Sequence, residues 1–191
     1  MDIGKSKENW IREEKQAHIH GWDFSHIAER YEEENDLPWD YAAIIRSYLK
    51  DNFCLLDTDT GGGEFLLSLR HSNRRTSATE GYPPNVQLCR ETLLPLGIDF
   101  REMKDCSQMP FKDSRFDMVI NRHGDYCIPE LFRVLKKGGL FITEQVGEDN
   151  DRDLVELLLP GTPKAFQGLN LLAQRALFQK AGFKILKAEE C

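Results

Sequence analysis

The sequence predicts an α/β fold: a parallel sheet with helices on both faces. Three observations carry that expectation. An apolar run at residues 53–56 (FCLL) ends in Asp57, three consecutive glycines follow at 61–63, and a new apolar-periodic run begins at Phe65. Strand, glycine turn and helix in that order form a nucleotide-binding βα unit, because glycine lets the backbone turn tightly against a ligand and a helix start offers unpaired N–H groups. Strand-like and helix-like segments then alternate to the end of the chain, as a parallel sheet requires. Finally, FDMVIN at residues 116–121 is mostly apolar without strict alternation, the pattern of a strand buried on both faces.

Taken in order, residues 5–17 read as a highly charged helix anchored by Trp10, Ile11 and Ala17. The pattern breaks at Gly21, and Ser25 is placed to cap a short helix reaching Glu34. Asp36-Leu37-Pro38 ends it. A helix is expected over 39–50, with Tyr41, Ile44, Ile45, Tyr48 and Leu49 on one face. The first strand covers 52–57 and its helix 63–70. A second strand at 76–80 ends in Glu80 and Gly81, and Pro83-Pro84 opens a helix through residue 94, since proline suits a first turn. Strands at 98–103 and 116–121 follow. A helix over 128–135 is stopped by Lys136-Lys137-Gly138-Gly139, where glycine terminates and lysine complements the helix dipole. A fifth strand is expected at 140–146, helices at 151–159 and 168–181, and a sixth strand at 183–188. The organisation is one domain, 1–191, with an N-terminal helical cap over 1–50 and an α/β core over 51–191.

Bulk properties narrow the function. With 191 residues, 40% hydrophobic and 30% charged, the chain can bury a core of its own. It has no apolar run near the roughly 20 residues of a membrane span, and its start, MDIGKSKENWIREEK, lacks a signal-peptide core. Five cysteines show no metal-ligand spacing and fit reduced thiols, so a cytoplasmic protein is expected. A net charge of −7 argues against a broad nucleic-acid surface, and the basic stretch at 70–75 reads as a solvated loop. His18 and His20, two apart, do not make a metal site.

In an open α/β sheet, ligands bind beyond the carboxyl ends of the strands. The first strand ends there at Asp57 and the glycines. The second ends at Glu80, whose carboxylate can accept both hydroxyl protons of a ribose. The third is followed by Asp105-Cys106, where an acid can accept from an adenine amino group. The dinucleotide fingerprint G-x-G-x-x-G fails, because Leu66 stands at the third glycine. A nicotinamide-dependent oxidoreductase therefore rests on the fold class alone. The phosphate-loop pattern fails too, because Glu64 follows Gly63.

With these residues in place, the chain resembles the class I S-adenosylmethionine-dependent methyltransferases, the Rossmann-like family, over about residues 40–190. Their acid-x-Gly-x-Gly-x-Gly motif is matched by DTDTGGG at 57–63, their ribose-binding acid by Glu80, and their adenine-contacting pair by Asp105-Cys106. QMPFKDSRFDMV at 108–119 and LFRVLKKGG at 131–139 match two further stretches of the family. The preamble HIHGWDFS…LPWDY is similar to that of a bacterial subgroup of small-molecule-type methyltransferases. The resemblance implies S-adenosylmethionine as cofactor, held by Asp57, Asp59, Gly61, Gly63, Glu80, Gly81, Asp105, Cys106 and Asn121. It implies a small-molecule methyl acceptor near the end of strand four, where His123 is the candidate base and Arg122 either a binder of anionic acceptors or a surface charge. Trp22, Phe24, Trp39 and Tyr41 either form a lid over the cleft or pack the cap onto the sheet. YPPN at 82–85, loosely like a box of amino methyltransferases, reads as a helix start.

Two departures stand out. Asp59 replaces the first motif glycine, beside the methionine part of the cofactor, and brings a side chain and a negative charge; its cost is expected in cofactor affinity rather than in folding. The family's seventh, antiparallel strand has no counterpart before Cys191, so an open sheet edge is expected, available for association with another molecule. Both departures also motivate the alternative of a degenerate, non-catalytic cofactor-binding or interaction module.

Overall fold

The computed structural model describes residues 3–17, 25–30, 32 and 36–191. His18, His20, Trp22 and Phe24 lie outside the described residues. Five strands form one sheet: β1 (Leu55–Thr58), β2 (Thr76–Glu80), β3 (Asp99–Glu102), β4 (Phe116–Arg122) and β5 (Leu135–Glu144). Their order is β3-β2-β1-β4-β5, and every pair is parallel. The chain thus starts in the middle of the sheet, builds outward through β2 and β3, then returns to the other side of β1. The reversal puts a crevice at the carboxyl ends of β1 and β4, where open α/β sheets bind ligands.

Seven α-helices accompany the sheet among the described residues: α1 (Ile3–Ala17), α2 (Tyr41–Tyr48), α3 (Glu64–Ser68), α4 (Pro83–Thr92), α5 (Ile128–Val134), α6 (Arg152–Leu158) and α7 (Leu171–Lys180). Both faces of the sheet are covered. On one, Tyr41 and Ile45 of α2, Leu66 of α3, and Val86 and Cys89 of α4 pack on Leu55, Ala78, Met118 and Ile120. On the other, Leu131 and Val134 of α5 and Phe178 of α7 pack on Leu56, Phe116 and Val119. Neighbouring residues of one strand, Leu55 and Leu56, therefore serve opposite cores, which is why the strands lack polar alternation.

Local chemistry sets the helix ends. Asp40 caps α2, its Oδ1 accepting from the Ala43 N–H at 2.9 Å, and Asn170 caps α7 in the same way onto Ala173. Arg133 of α5 donates to the carbonyls of Met109 and Phe111 and pairs with Glu130 and Asp113, which fastens the loop between β3 and β4.

Four expectations are corrected. Trp10 and Ile11 do not anchor α1; they are 67% and 42% exposed, and α1 instead meets the following turn through Glu13, paired with His26 and Arg30. The helix expected after Ser25 is a single 3-10 turn, Ser25–Ile27, within the described residues. The Lys-Lys-Gly-Gly run does not follow a helix that includes Leu135: α5 ends at Val134, Leu135 is already extended, and the run is a bulge in β5 between the pairs Phe116–Leu135 and Met118–Leu140. Gly138, at φ 78°, makes that bulge. Residues 183–188 form no strand; Phe183 and Ile185 pack against the second core through their side chains instead. β5 is therefore an edge strand of the sheet. No helix among the described residues is long and apolar enough to cross a membrane.

Candidate active site

The glycine turn that follows β1 is tied to the end of β2 by two hydrogen bonds. The Thr60 N–H donates to Thr79 O at 3.0 Å, and the Gly61 N–H donates to Glu80 Oε2 at 2.8 Å. Gly61 and Gly63 have φ of 65° and 87°, where a side chain is strained. A Cβ on Gly63 would also stand 2.7 Å from Leu93 Cδ2. Asp59 occupies the same left-handed region, at φ 54°, without being glycine.

Asp57, at the end of β1, is buried and accepts the Thr60 hydroxyl at 2.6 Å. Burial pushes its carboxyl up to about 7, against the opposing pull of that hydrogen bond and of Arg122. Asp59 is pushed up to about 6, first by burial, then by the charges of Glu80 and Asp125. Asp57, Asp59 and Glu80 thus bring three carboxylates to the adjacent ends of β1 and β2, a field that favours a cation.

Glu80, at the adjacent end of β2, is 5% exposed. Its Oε1 accepts the Gly81 and Tyr82 N–H groups at 2.7 and 2.8 Å, and its Oε2 accepts Gly61 N–H and the Asn85 amide at 3.3 Å. It holds the start of α4 and the glycine turn together. Gly81 permits this, because a Cβ there would lie 2.4 Å from the backbone oxygen of Met103. Among the described residues, two buried side-chain atoms have no hydrogen bond, Thr79 Oγ1 and Asn85 Oδ1, and both flank Glu80. Asp105, beyond β3, is exposed; hydrogen bonds from the Ser107 side chain and then from its N–H, at 2.8 Å, hold its carboxyl below the usual range. Cys106 is half-buried against the second core, and burial pushes its thiol up.

Asn121, at the end of β4, is fully buried. Its Nδ2 donates to Thr58 Oγ1 and O, at 2.9 and 3.2 Å, and its Oδ1 accepts from Gln145 at 2.6 Å. Arg122 stacks on the Phe65 ring, 4.6 Å from its centre. It closes a cavity of about 60 Å³ with Asp57, Asp59, Thr60, Glu64 and Phe65. His123, at φ 62°, has Nε2 3.9 Å from Glu144 Oε1. Burial, then the Arg122 charge, lower its pKa against the pull of Glu144. His123 is not among the residues lining this cavity.

The predicted residues therefore gather in a row along the carboxyl ends of β3, β2, β1 and β4. Sequence reasoning missed Thr60, Glu64 and Phe65 on the cavity wall, Asn85 on Glu80, and Gln145 on Asn121. The first three sit inside the motif stretch and were overshadowed by its acids and glycines. Gln145 is joined to Asn121 only by the sheet. Trp39 and Tyr41 pack the cap onto the sheet: Trp39 Nε1 donates to Glu144 Oε2 at 2.7 Å, and the Tyr41 hydroxyl donates to Asn121 O and Ile142 O at 3.0 and 3.2 Å.

Residues 56–143 match the family model described as a methyltransferase domain. A sterol 4-C-methyltransferase of Caenorhabditis elegans is 30% identical over 115 residues, covering 55% of this chain and 34% of that protein. The phthiotriol/phenolphthiotriol dimycocerosates methyltransferase of Mycobacterium tuberculosis is 29% identical over 124 residues, covering 61% and 43%. The matched region thus spans less than half the length of these curated relatives. A SAM-dependent methyltransferase of Aquifex aeolicus superposes with a TM-score of 0.59 at 18% identity, over 78% of this chain and 82% of that one, a likeness of fold. Residues 56–143 thus match a methyltransferase domain, and the sheet order of the chain is that of a Rossmann-like methyltransferase fold.

Proposed function

We propose that this protein transfers a methyl group from S-adenosylmethionine to a small-molecule acceptor. The observation that carries the reading is the row Asp105, Glu80, Asp57 with Gly61 and Gly63, at or just beyond the carboxyl ends of three strands that are neighbours in the sheet. S-adenosylmethionine, when bound, supplies a methyl group activated by its sulfonium charge, so the protein's contribution is chiefly placement.

The residues present fit that cofactor. Glu80 would take the ribose hydroxyls, and the unpaired Asn85 Oδ1 beside it offers a further acceptor. Asp105 and Cys106 would border the adenine; Gly61, Gly63 and Gly81 leave the backbone open to close approach. Asp57, Asp59 and Asn121 would border the methionine end, where carboxylates favour a cation. The fit requires one local change. A cavity of about 60 Å³ is well below the roughly 300 Å³ at which small-molecule sites begin, and Glu80 already accepts four donors. Binding would therefore release the Gly61 N–H or the Asn85 amide from Glu80. His123, its pKa lowered, is available as a proton acceptor for an acceptor molecule that must lose a proton. The open side of β5 would serve any association with a second molecule.

Calorimetric titration with S-adenosylmethionine and S-adenosylhomocysteine tests the reading. Binding of both is expected, with Glu80→Ala weakening both by tenfold or more. Absence of binding by either would refute the proposal in its catalytic and its non-catalytic form alike. The relatives' names, a sterol and a phthiotriol dimycocerosate methyltransferase, make lipid alcohols and sterols the first acceptors to screen.

A further inference from the structure

A second cavity, of about 320 Å³, lies beside the first and is larger. Its volume falls within the roughly 300–1,000 Å³ of small-molecule sites. The loop after β4, the end of β5, the segment before α7 and α7 itself enclose it. Its apolar wall includes Tyr126, Ile128, Phe166 and Leu177, and its polar wall includes Gln145 and Gln174.

The two cavities share a partition. Asp59 lines the first and Gly124 the second, and a Cβ on Gly124 would stand 2.5 Å from Asp59 Cβ. Two linked amides join the two sides: the half-buried Gln145 donates to the buried Asn121, and Asn121 donates to Thr58 at the end of β1. A molecule in the second cavity would thus sit one side chain away from the strand end proposed to face the methionine part of the cofactor.

The lining selects a ligand class. No lysine, arginine or histidine is among the lining residues, so an anion gains nothing there. The one acidic lining residue, Asp125, is exposed, where water screens it. Three of the other polar lining residues, Gln145, Gln167 and Gln174, carry neutral amides. Gln174 Oε1 is taken by the Tyr126 hydroxyl at 2.9 Å, and Gln145 Nε2 is committed to Asn121, Thr143 and Gly124. Gln145 Oε1 has no hydrogen-bond partner among the described residues and can accept from a ligand. An amide accepts a hydroxyl proton without a charge being desolvated, whereas an ammonium would lose its hydration at a neutral wall.

We infer that this second cavity binds the methyl acceptor, and that the acceptor is a neutral, largely apolar molecule carrying a hydroxyl group that donates to Gln145 Oε1. The inference rests on the methyl-transfer reading for the word acceptor, and on the cavity alone for the class of ligand.

A matched probe series on one ring frame tests it: naphthalenemethanol, naphthoate and naphthylmethylamine, each titrated into the full chain by ligand-observed NMR at neutral pH. The alcohol is expected to bind at least tenfold more tightly than the carboxylate or the ammonium. Gln145→Leu should weaken the alcohol about fivefold while leaving unsubstituted naphthalene unchanged, and Leu177→Trp, which fills the cavity from a half-exposed helix position, should remove binding of both. A thermal melt confirms that each variant is folded; if Gln145→Leu fails to fold, Leu177→Trp alone decides. Tighter binding of either charged probe, or alcohol binding that survives Leu177→Trp, would overturn the inference. Titration of S-adenosylhomocysteine into the same samples keeps the two readings apart. S-adenosylhomocysteine binding without alcohol binding would sink the cavity assignment alone; alcohol binding alone would sink the methyl-transfer reading and leave a hydroxyl-binding cavity.

Discussion

Replacing Asp59 separates electrostatics from backbone strain at the glycine turn. Its carboxyl moves from an ordinary 3.8 to about 6, because it is buried and faces Glu80 and Asp125. At about 1.4 kcal/mol per tenfold, that rise corresponds to roughly 3 kcal/mol of destabilisation at neutral pH, which partial solvent access reduces to about 1–2 kcal/mol. The sign follows from linkage. An acid whose pKa is raised by folding costs nothing below its unfolded value, and its full cost is present above its folded value. Asp59→Asn removes the charge, keeps an oxygen for the Asp125 N–H, and tolerates the positive φ. It should therefore stabilise the protein by about 1–2 kcal/mol at pH 7, which is a rise of about 3–6 °C in melting temperature for a chain of this size. Asp59→Gly should gain a similar amount, since relief of the φ of 54° is offset by the entropy of an added glycine, each about 1 kcal/mol. Both gains should grow from pH 4 to pH 6 and level off above. Urea melts across that range measure them. Equal gains at pH 4 and pH 7 would refute the electrostatic reasoning, and a loss of stability in Asp59→Asn would show that the carboxylate is paired rather than crowded. The structure thus assigns Asp59 a folding cost, where the sequence alone places its cost in cofactor affinity rather than in folding.

Other outcomes follow from the same geometry. Because Asp57 and Asp59 are held up near 7 and 6, a sulfonium should bind better as they ionise, so the preference for S-adenosylmethionine over uncharged-sulfur S-adenosylhomocysteine should rise about tenfold from pH 5.5 to pH 8; a flat ratio by calorimetry would contradict it. Gly81→Ala forces a Cβ to 2.4 Å from Met103 O and should destabilise by about 1–3 kcal/mol in urea, with no loss expected only if the β2–β3 ends can separate freely. Tyr41→Phe removes the hydroxyl that joins the cap to β4 and β5 and should cost about 1 kcal/mol, and a neutral effect would mean that those carbonyls find other donors.

Much of the fold is legible in the sequence because local and global signals agree. The strand expected at 76–80 is β2 to the residue, and Pro83 opens α4 where proline belongs. The misreadings have a common physical cause: a local pattern was read without its partner. FKILKA at 183–188 has a strand's composition, but a strand exists only where a neighbour supplies the ladder, and here its apolar side chains find a core first. Lys-Lys-Gly-Gly has a helix terminator's composition, yet β4 draws Leu135 into the sheet and leaves the run as a bulge. At the site, the acids and glycines that could be named from spacing are all at strand ends. What could not be read were contacts that depend on sheet order. Gln145 meets Asn121 because β5 lies beside β4, and the Arg122 guanidinium meets Phe65 because β4 lies beside β1. The saturation of Glu80 by four donors was hidden for the same reason: two of them come from different elements, Gly61 from the glycine turn and Asn85 from the first turn of α4.

The central claim is that Glu80 exchanges an internal donor for the cofactor's ribose. A crystal structure of the protein soaked or grown with S-adenosylhomocysteine tests it most directly. The account predicts both ribose hydroxyls on the Glu80 carboxylate, the Gly61 N–H or the Asn85 amide turned away from it, and the thioether end beside Asp57 and Asp59. A ligand bound elsewhere, or bound in the cleft with all four Glu80 hydrogen bonds intact, would contradict it.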